Sequence, residues 1–329
     1  MLPQEPAAAI GLDNIDAGMT PPVPMTNRPP VASAATSFGR GWILLRTWSD
    51  RCAVGAPSRV VSGGATTYRV PTRNGLCTLT IGSRLAHWNG IAVWLGFPPQ
   101  ILRGEPYIHA LDAEKTLGPL AEMLPSIPSN ARTIVLDPGH GGSDAGTRGT
   151  HNELEKVYAL DWALRAERLL TNAGWKVFLT RRSDADVPLT ERVAFADRVR
   201  ADLFISLHFN STFPQTQPSG VETYCLTPSG MPSTLARGYA DDERAAFPNN
   251  SFDKANTEWA FRIHRSLLSQ THARDDGMKR ARFMGVLRYQ QRPAILVEGG
   301  FLSNQREAAN IQSAAYRESL AKALAEALQ

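Results

Sequence analysis

Three short runs constrain this chain most: Thr133-Ile134-Val135-Leu136, Leu203-Phe204-Ile205-Ser206 and Ala294-Ile295-Leu296-Val297. Each is rich in apolar and β-branched residues and leads into a side chain with a lone pair to offer. The first reaches His140 through Asp137-Pro138-Gly139, the second reaches His208 through Leu207, and the third meets Glu298 directly. Short, nearly continuous apolar runs read as strands buried on both faces of a sheet. In an open α/β sheet the carboxyl ends of such strands line the functional crevice, so residues far apart in sequence meet there.

The surrounding pattern supports such a sheet. A helix-like stretch from about Glu155 to Thr171 is followed by a strand over 175–180, a helix from about Leu189 to Arg200 and the strand 203–207. Val221 to Leu226, a helix from about Asn256 to Ala273, the run Phe283 to Leu287 and the strand 294–297 continue the series. This alternation predicts an α/β fold, a twisted, mostly parallel sheet flanked by helices. A last helix opens at Asn304 with Glu307 at capping-box spacing and carries Leu320, Leu324 and Leu328 on one face.

A length of 329 residues is more than one ordinary domain needs. Residues 1–38, rich in Pro, Ala and Thr, read as a disordered tether. Residues 39–112 hold short β-type runs, among them Leu85–Trp88 and Ile91–Leu95 joined by Asn89-Gly90, a strong hairpin signal. This predicts a small β-rich N-terminal domain preceding the larger unit. It has no convergent catalytic groups and reads as a spacer or binding module. Residues 113–131 read as a linker, and 132–329 as the catalytic unit. The stretch from Thr227 to Ala255 is long and polar enough to be a functional loop.

Composition removes some alternatives. No run approaches the roughly 18 apolar residues of a membrane span, so none is expected. A net charge of +4 without a Lys/Arg-rich run suits an anionic polymer such as a cell wall and gives no reason to expect nucleic acid. Cys52, Cys77 and Cys225 form no metal-type pair; Cys52 and Cys77 either bond to each other or stay free, and Cys225 reads as core. The first ten residues show no secretory signal pattern.

Taken alone, either histidine reads as a hydrogen-bonded core residue. Together with an acid they make the three-ligand set of a catalytic zinc site, which keeps a fourth position open. Glu153 and Glu155 compete for the acidic place. Glu155 is preferred because it begins a helix whose Val157, Leu160 and Leu164 share a face and fix its orientation.

Asp137-Pro138-Gly139-His140-Gly141-Gly142, Glu155-Lys156, Ser206-Leu207-His208-Phe209-Asn210 and Val297-Glu298-Gly299-Gly300-Phe301-Leu302-Ser303-Asn304 resemble, in order, the motifs of the zinc-dependent N-acetylmuramoyl-L-alanine amidases of family 3. The resemblance spans about Thr133 to Gln329. It implies His140, Glu155 and His208 as ligands of Zn2+ and Glu298 as the catalytic carboxylate, with peptidoglycan as substrate, in a bacterial cell envelope, periplasmic or secreted. The bond cut is the amide between N-acetylmuramic acid and L-alanine of the stem peptide. Zinc-activated water with Glu298 as general base and acid fits that reaction. Asp137 and Asn210 are candidates for orienting the ligands.

Val157 and Gly299 depart from the family, which commonly has Asp and Thr there. The inhibitory helical insertion of partner-activated members is not evident, so control by an activator protein is not expected; a monomer is. Residues 39–112 faintly resemble the stalk-type domain named for copper amine oxidase N-termini, which implies no copper. His151 reads as a surface-loop residue, His264 and His272 as solvent-facing, and His87 and His109 as structural.

Overall fold

The computed structural model describes residues 41–52, 54–122, 132–149, 152–235 and 241–329. The expected tether, His151 and the later part of the expected linker lie outside these. The first elements are β1 (Trp42–Leu44), α1 (Leu45–Cys52), β2 (Ser58–Ser62), β3 (Ala65–Thr72), β4 (Gly75–Thr80), β5 (Leu85–Trp88), β6 (Ile91–Trp94), β7 (Gln100–Leu102) and β8 (Glu105–His109). After a helical stretch over 110–122 come β9 (Thr133–Pro138), α2 (Glu155–Asn172), β10 (Lys176–Leu179), α3 (Leu189–Arg198) and β11 (Leu203–Asn210). The chain ends with β12 (Val221–Cys225), α4 (Asp253–Thr271), β13 (Asp275–Arg280), β14 (Ala294–Phe301), α5 (Gln305–Gln312) and α6 (Ala314–Ala327).

The three apolar runs sit side by side: β10, β9, β11 and β14 are neighbours in that order and all parallel. Beyond β14 come β12, antiparallel to it, and β13, parallel to β12. Every residue of β11 and β14 is buried. Side chains alternate between faces along a strand, and the two faces meet different cores. Ile134, Leu136, Ile205, Leu207, Phe209, Ile295 and Val297 join the larger core, with Trp162 of α2, Phe261 of α4 and Leu324 of α6. Val135, Phe204 and Leu296 join a smaller core with Ala196 of α3 and Met284. By the same alternation, Asp137, Ser206, His208 and Glu298 share the face of the smaller core at the carboxyl ends of the strands. β11 and β14 run on past His208 and Glu298, so these two lie inside strands, with a register irregularity beside them between His208 and Asn210.

Several sequence expectations are corrected. Val157 and Leu164 are 53% and 37% exposed. The buried face of α2 is instead Ala159, Trp162, Ala163, Ala166 and Leu170; its three alanines let the helix sit close to β11, with the Trp162 and Phe209 ring centroids 5.6 Å apart. His264 is fully buried: its Nδ1 meets Thr223 Oγ1 at 3.0 Å and its Nε2 meets Asp275 Oδ1 at 2.9 Å. His272 is exposed at the left-handed end of α4, as expected. The run from Phe283 to Leu287 contains a helical turn, Gly285–Arg288. The C-terminal helix is two, α5 and α6, parted at Ser313. Asn304 does cap α5, accepting from the Glu307 N–H, but the Glu307 carboxylate accepts from Gly220 and Phe301 N–H groups rather than closing a capping box. Cys52, Cys77 and Cys225 are free thiols.

The β-rich segment does not stand apart. Its hairpin turns at Asn89 and Gly90, both at positive φ, and β2 to β6 form an antiparallel meander. β6 then pairs with β13 at Val93 and Met278, so one sheet of eleven strands runs through both regions. Polar bonds secure the seam: the Ala92 N–H donates to Asp275 Oδ2 at 2.8 Å, and Arg84 Nη2 donates to the Ser233 carbonyl at 3.1 Å. The described part of the Thr227–Ala255 stretch is packed into this junction, with Met231 buried against Gly96 and its carbonyl accepting from Arg282. A separate sheet, β7-β8-β1, completes the N-terminal region.

Candidate metal centre

The carboxyl end of β9 turns sharply to present His140, which sits at φ +60°, a left-handed backbone that non-glycine residues seldom adopt. Its carbonyl and those of the two residues before it are held by two buried arginines. Arg181 Nη2 donates to the Gly139 carbonyl at 2.7 Å, and Arg192 Nη2 to the His140 carbonyl at 2.8 Å. Asp184 and Asp186 receive the Gly142 and Ser143 N–H groups, fixing the far side of the loop. Gly139 lacks a side chain for a plain reason: a Cβ there would lie 2.5 Å from His208 Nδ1.

Glu155 opens α2 and is 1% exposed. Its Oε1 accepts from the Phe209 N–H at 3.0 Å and lies 2.8 Å from His208 Nδ1. Its Oε2 accepts from the Thr147 N–H at 2.8 Å and lies 3.1 Å from His140 Nε2. Burial alone would raise its pKa, but His140 and His208 outweigh that and hold the carboxyl well below the usual range. Glu153 is turned away, bonded to Gln312 of α5.

The remaining ring nitrogens define which lone pairs point inward. His140 Nδ1 is 2.8 Å from Asp144 Oδ2, an acceptor when ionised, so Nδ1 carries the hydrogen. Ser206 Oγ donates to Asp137 Oδ2 at 2.8 Å and therefore accepts from His208 Nε2 at 3.1 Å. Asp137 is itself paired with Arg192, which overcomes the effect of burial and lowers its pKa. In neutral imidazoles these bonds leave the lone pairs of His140 Nε2 and His208 Nδ1 facing the Glu155 carboxylate. His140 Nε2 is buried without a hydrogen-bond partner. The three ligand atoms lie within 4.8 Å of one another. Three inward-facing electron pairs with no donor among them fit a divalent cation, whose tetrahedral ligands would stand roughly 3.3 Å apart. Burial opposes charge on His140, yet Glu155 and Asp144 raise its pKa to about 10, while burial lowers that of His208.

A cleft of about 420 Å³ opens over this cluster, lined by His140, His208 and Asp144 together with the apolar Val187, Leu189, Met284, Val286 and Leu296. Glu298 does not line that cleft. It is 2% exposed and stands in register with His208 on the adjoining strand, with Glu222 of β12 its partner on the other side. Glu222 is ion-paired with buried Lys279 and bonded to Asn210 Nδ2, so Asn210 faces the carboxylates and not the imidazoles. Asp144, Ser206, Arg181 and Arg192 were not singled out from sequence. The one signal available is that Ser206 precedes His208 by two and so shares its strand face.

With this geometry in hand, the family comparison is decisive: the family model for N-acetylmuramoyl-L-alanine amidase matches residues 134–329. This chain belongs to that family. Among curated relatives it is 31% identical over 212 residues to the N-acetylmuramoyl-L-alanine amidase AmiC of Escherichia coli O6:H1, covering 58% of this chain and 50% of that protein. It is 33% identical over 198 residues to LytC of Bacillus subtilis, covering 60% of this chain and 35% of that one. The chain thus matches about half or less of the length of these two relatives. Among solved structures, AmiC2 of Nostoc punctiforme aligns with a TM-score of 0.50 at 30% identity over 61% of this chain and 97% of that one. The amidase of Clostridium difficile 630 aligns with the same TM-score at 29% identity, over 61% and 96%. The mixed sheet with helices on both faces is therefore the family's fold. At Gly299 a Cβ would crowd Phe209, Leu320 and Trp162.

Proposed function

We propose that this protein is a zinc-dependent N-acetylmuramoyl-L-alanine amidase, hydrolysing the amide between N-acetylmuramic acid and L-alanine of the peptidoglycan stem peptide. The observation that carries this reading is the inward convergence of lone pairs from His140, Glu155 and His208, each oriented by a second bond behind it. These three residues would hold Zn2+. Bound there, zinc supplies Lewis-acid chemistry, acidifying water and polarising the scissile carbonyl.

Glu298 acts as general base, taking the proton of the attacking water, and then as general acid, passing it to the departing L-alanine nitrogen. Its neighbouring position on β14 suits a group that works beside the ligands without closing their set. The apolar lining of the cleft, Val187 to Leu189 with Met284 and Val286, excludes water from the substrate where it meets these side chains. Residues 132–329 then form the catalytic unit, and 39–112 an accessory unit that sets its position on the wall. The reaction places the protein in the bacterial cell envelope, periplasmic or secreted, acting as a monomer without an activator. Among the described residues no helix is long and apolar enough to cross a membrane.

The test is digestion of purified peptidoglycan with and without a chelator, with products identified by mass spectrometry. Released stem peptides bearing a free L-alanine amino terminus, lost on chelation and restored by zinc, are expected. Glu298→Gln should retain zinc and lose about 10²–10⁴-fold in rate. Cleavage inside the stem peptide, or full activity of Glu298→Gln, would overturn the proposal.

A further inference from the structure

One guanidinium touches both halves of the metal centre. Arg192, on the first turn of α3, is 4% exposed. Its Nη2 donates to the His140 carbonyl at 2.8 Å; its Nη1 donates to Asp137 Oδ1 at 2.7 Å and to the Pro138 carbonyl at 2.8 Å; its Nε donates to the Val187 carbonyl at 2.9 Å. Two branches leave this hub. The short one ends on the backbone of His140, whose left-handed φ of +60° is strained and persists only where the surroundings hold it. The longer one runs through Asp137 and Ser206 to Nε2 of His208.

We infer that Arg192 is a positioning residue of the metal centre, holding two imidazoles from different strands at one mutual spacing. The inference rests on the metal-site reading above. Only a planar fork fits the task. Its donors diverge in fixed directions toward a carboxylate and three carbonyls, whereas a lysine offers three donors from a single point. Arg181 grips the Pro138 and Gly139 carbonyls but has no branch to His208, so it serves one side alone.

The test compares Arg192→Lys, Ser206→Ala and Arg292→Lys, measuring the zinc dissociation constant by chelator competition and the thermal midpoint of the metal-free protein. Arg292, just before β14, is 6% exposed and pairs with Asp197 of α3, so it reports the generic cost of shortening a buried arginine. Arg192→Lys should weaken zinc binding about 10–100-fold, the range for groups that orient metal ligands. Ser206→Ala, which cuts only the His208 branch, should weaken it about 10-fold, and Arg292→Lys should leave it within about threefold. Visible absorption of the Co2+-loaded protein reports ligand geometry and should change in Arg192→Lys but not in Arg292→Lys. If Arg192→Lys fails to fold, Ser206→Ala decides. Wild-type zinc affinity in the folded Arg192→Lys variant, or in Ser206→Ala when that variant decides, overturns the inference. A wild-type protein that binds no zinc overturns the metal reading instead.

Discussion

Gly139→Ala isolates the spacing of the metal centre in a single methyl group. The new Cβ would lie 2.5 Å from His208 Nδ1 and 2.6 Å from Nε2, where ordinary contact begins near 3.4 Å. The nearest ring atom, Cε1, would lie at 2.2 Å, so about 1.2 Å of movement is needed, and the backbone cannot supply it cheaply. The Gly139 N–H is bonded to the Leu207 carbonyl at 3.0 Å, and the Gly139 carbonyl is held by Arg181. The ring of His208 must therefore shift, against its bond to Ser206. Metal–ligand distances tolerate about 0.2 Å, so a shift several times larger at the ligating nitrogen should weaken zinc binding about 10–100-fold. Overpacking should also cost about 1–3 kcal/mol of stability. The assay pairs zinc competition with thermal melting of the metal-free protein. Gly104→Ala is the control: it sits at φ +84° with nothing within 4 Å of its Cβ, so it carries backbone strain without contact with the site. Zinc binding by Gly139→Ala at wild-type strength would refute the argument that His208 is held against bare backbone.

Glu155→Gln should lose zinc affinity about 100-fold, because the amide removes the only charge among the three ligands, while Glu153→Gln should keep it; zinc titration of both separates the two acids. Asp112 is buried, and burial raises its pKa from 3.8 to about 6 despite bonds from the Gly96 and Phe97 N–H groups, so the folded state binds its proton more tightly than the unfolded chain does. Its contribution is therefore present below about pH 4 and lost as pH rises through 6, about 3 kcal/mol in all; Asp112→Asn should flatten that part of the stability–pH curve measured by urea unfolding. His264→Phe should cost about 2–4 kcal/mol by stranding Asp275 and Thr223, and should speed hydrogen exchange at the Ala92 amide across the β6–β13 seam.

The central sheet was legible because β9, β11 and β14 are buried on both faces, which writes a continuous apolar run into the sequence and leaves their polar residues conspicuous. The meeting of His140 and His208 follows from the carboxyl-edge rule once those strands are neighbours. Glu155 was preferred over Glu153 for an incomplete reason. The stripe of Val157 and Leu164 faces solvent, and the packing that orients Glu155 comes from alanines and Trp162 that leave no amphipathic signature. The arginine clamp was invisible because Arg181 and Arg192 act on backbone carbonyls, for which no residue pattern exists. Asp144 lies four residues beyond His140, but only the turn through Gly141 and Gly142 brings it to the ring.

β13 was missed for a related reason, and it changes how the two regions relate. Asp275-Asp276-Gly277-Met278-Lys279-Arg280 carries four charges and a single apolar side chain, so it writes no strand-like run into the sequence. Those charges are consumed internally: Asp275 by His264 and the Ala92 N–H, Lys279 by Glu222, Arg280 by the Lys115 carbonyl and Thr257. A strand whose polar groups are paired on both flanks can be buried as well as an apolar one, at the cost of strict dependence on each partner. Because Glu222 is also the register neighbour of Glu298, the strand that joins the N-terminal meander to the rest of the sheet lies one ion pair away from the carboxylate proposed to transfer the proton.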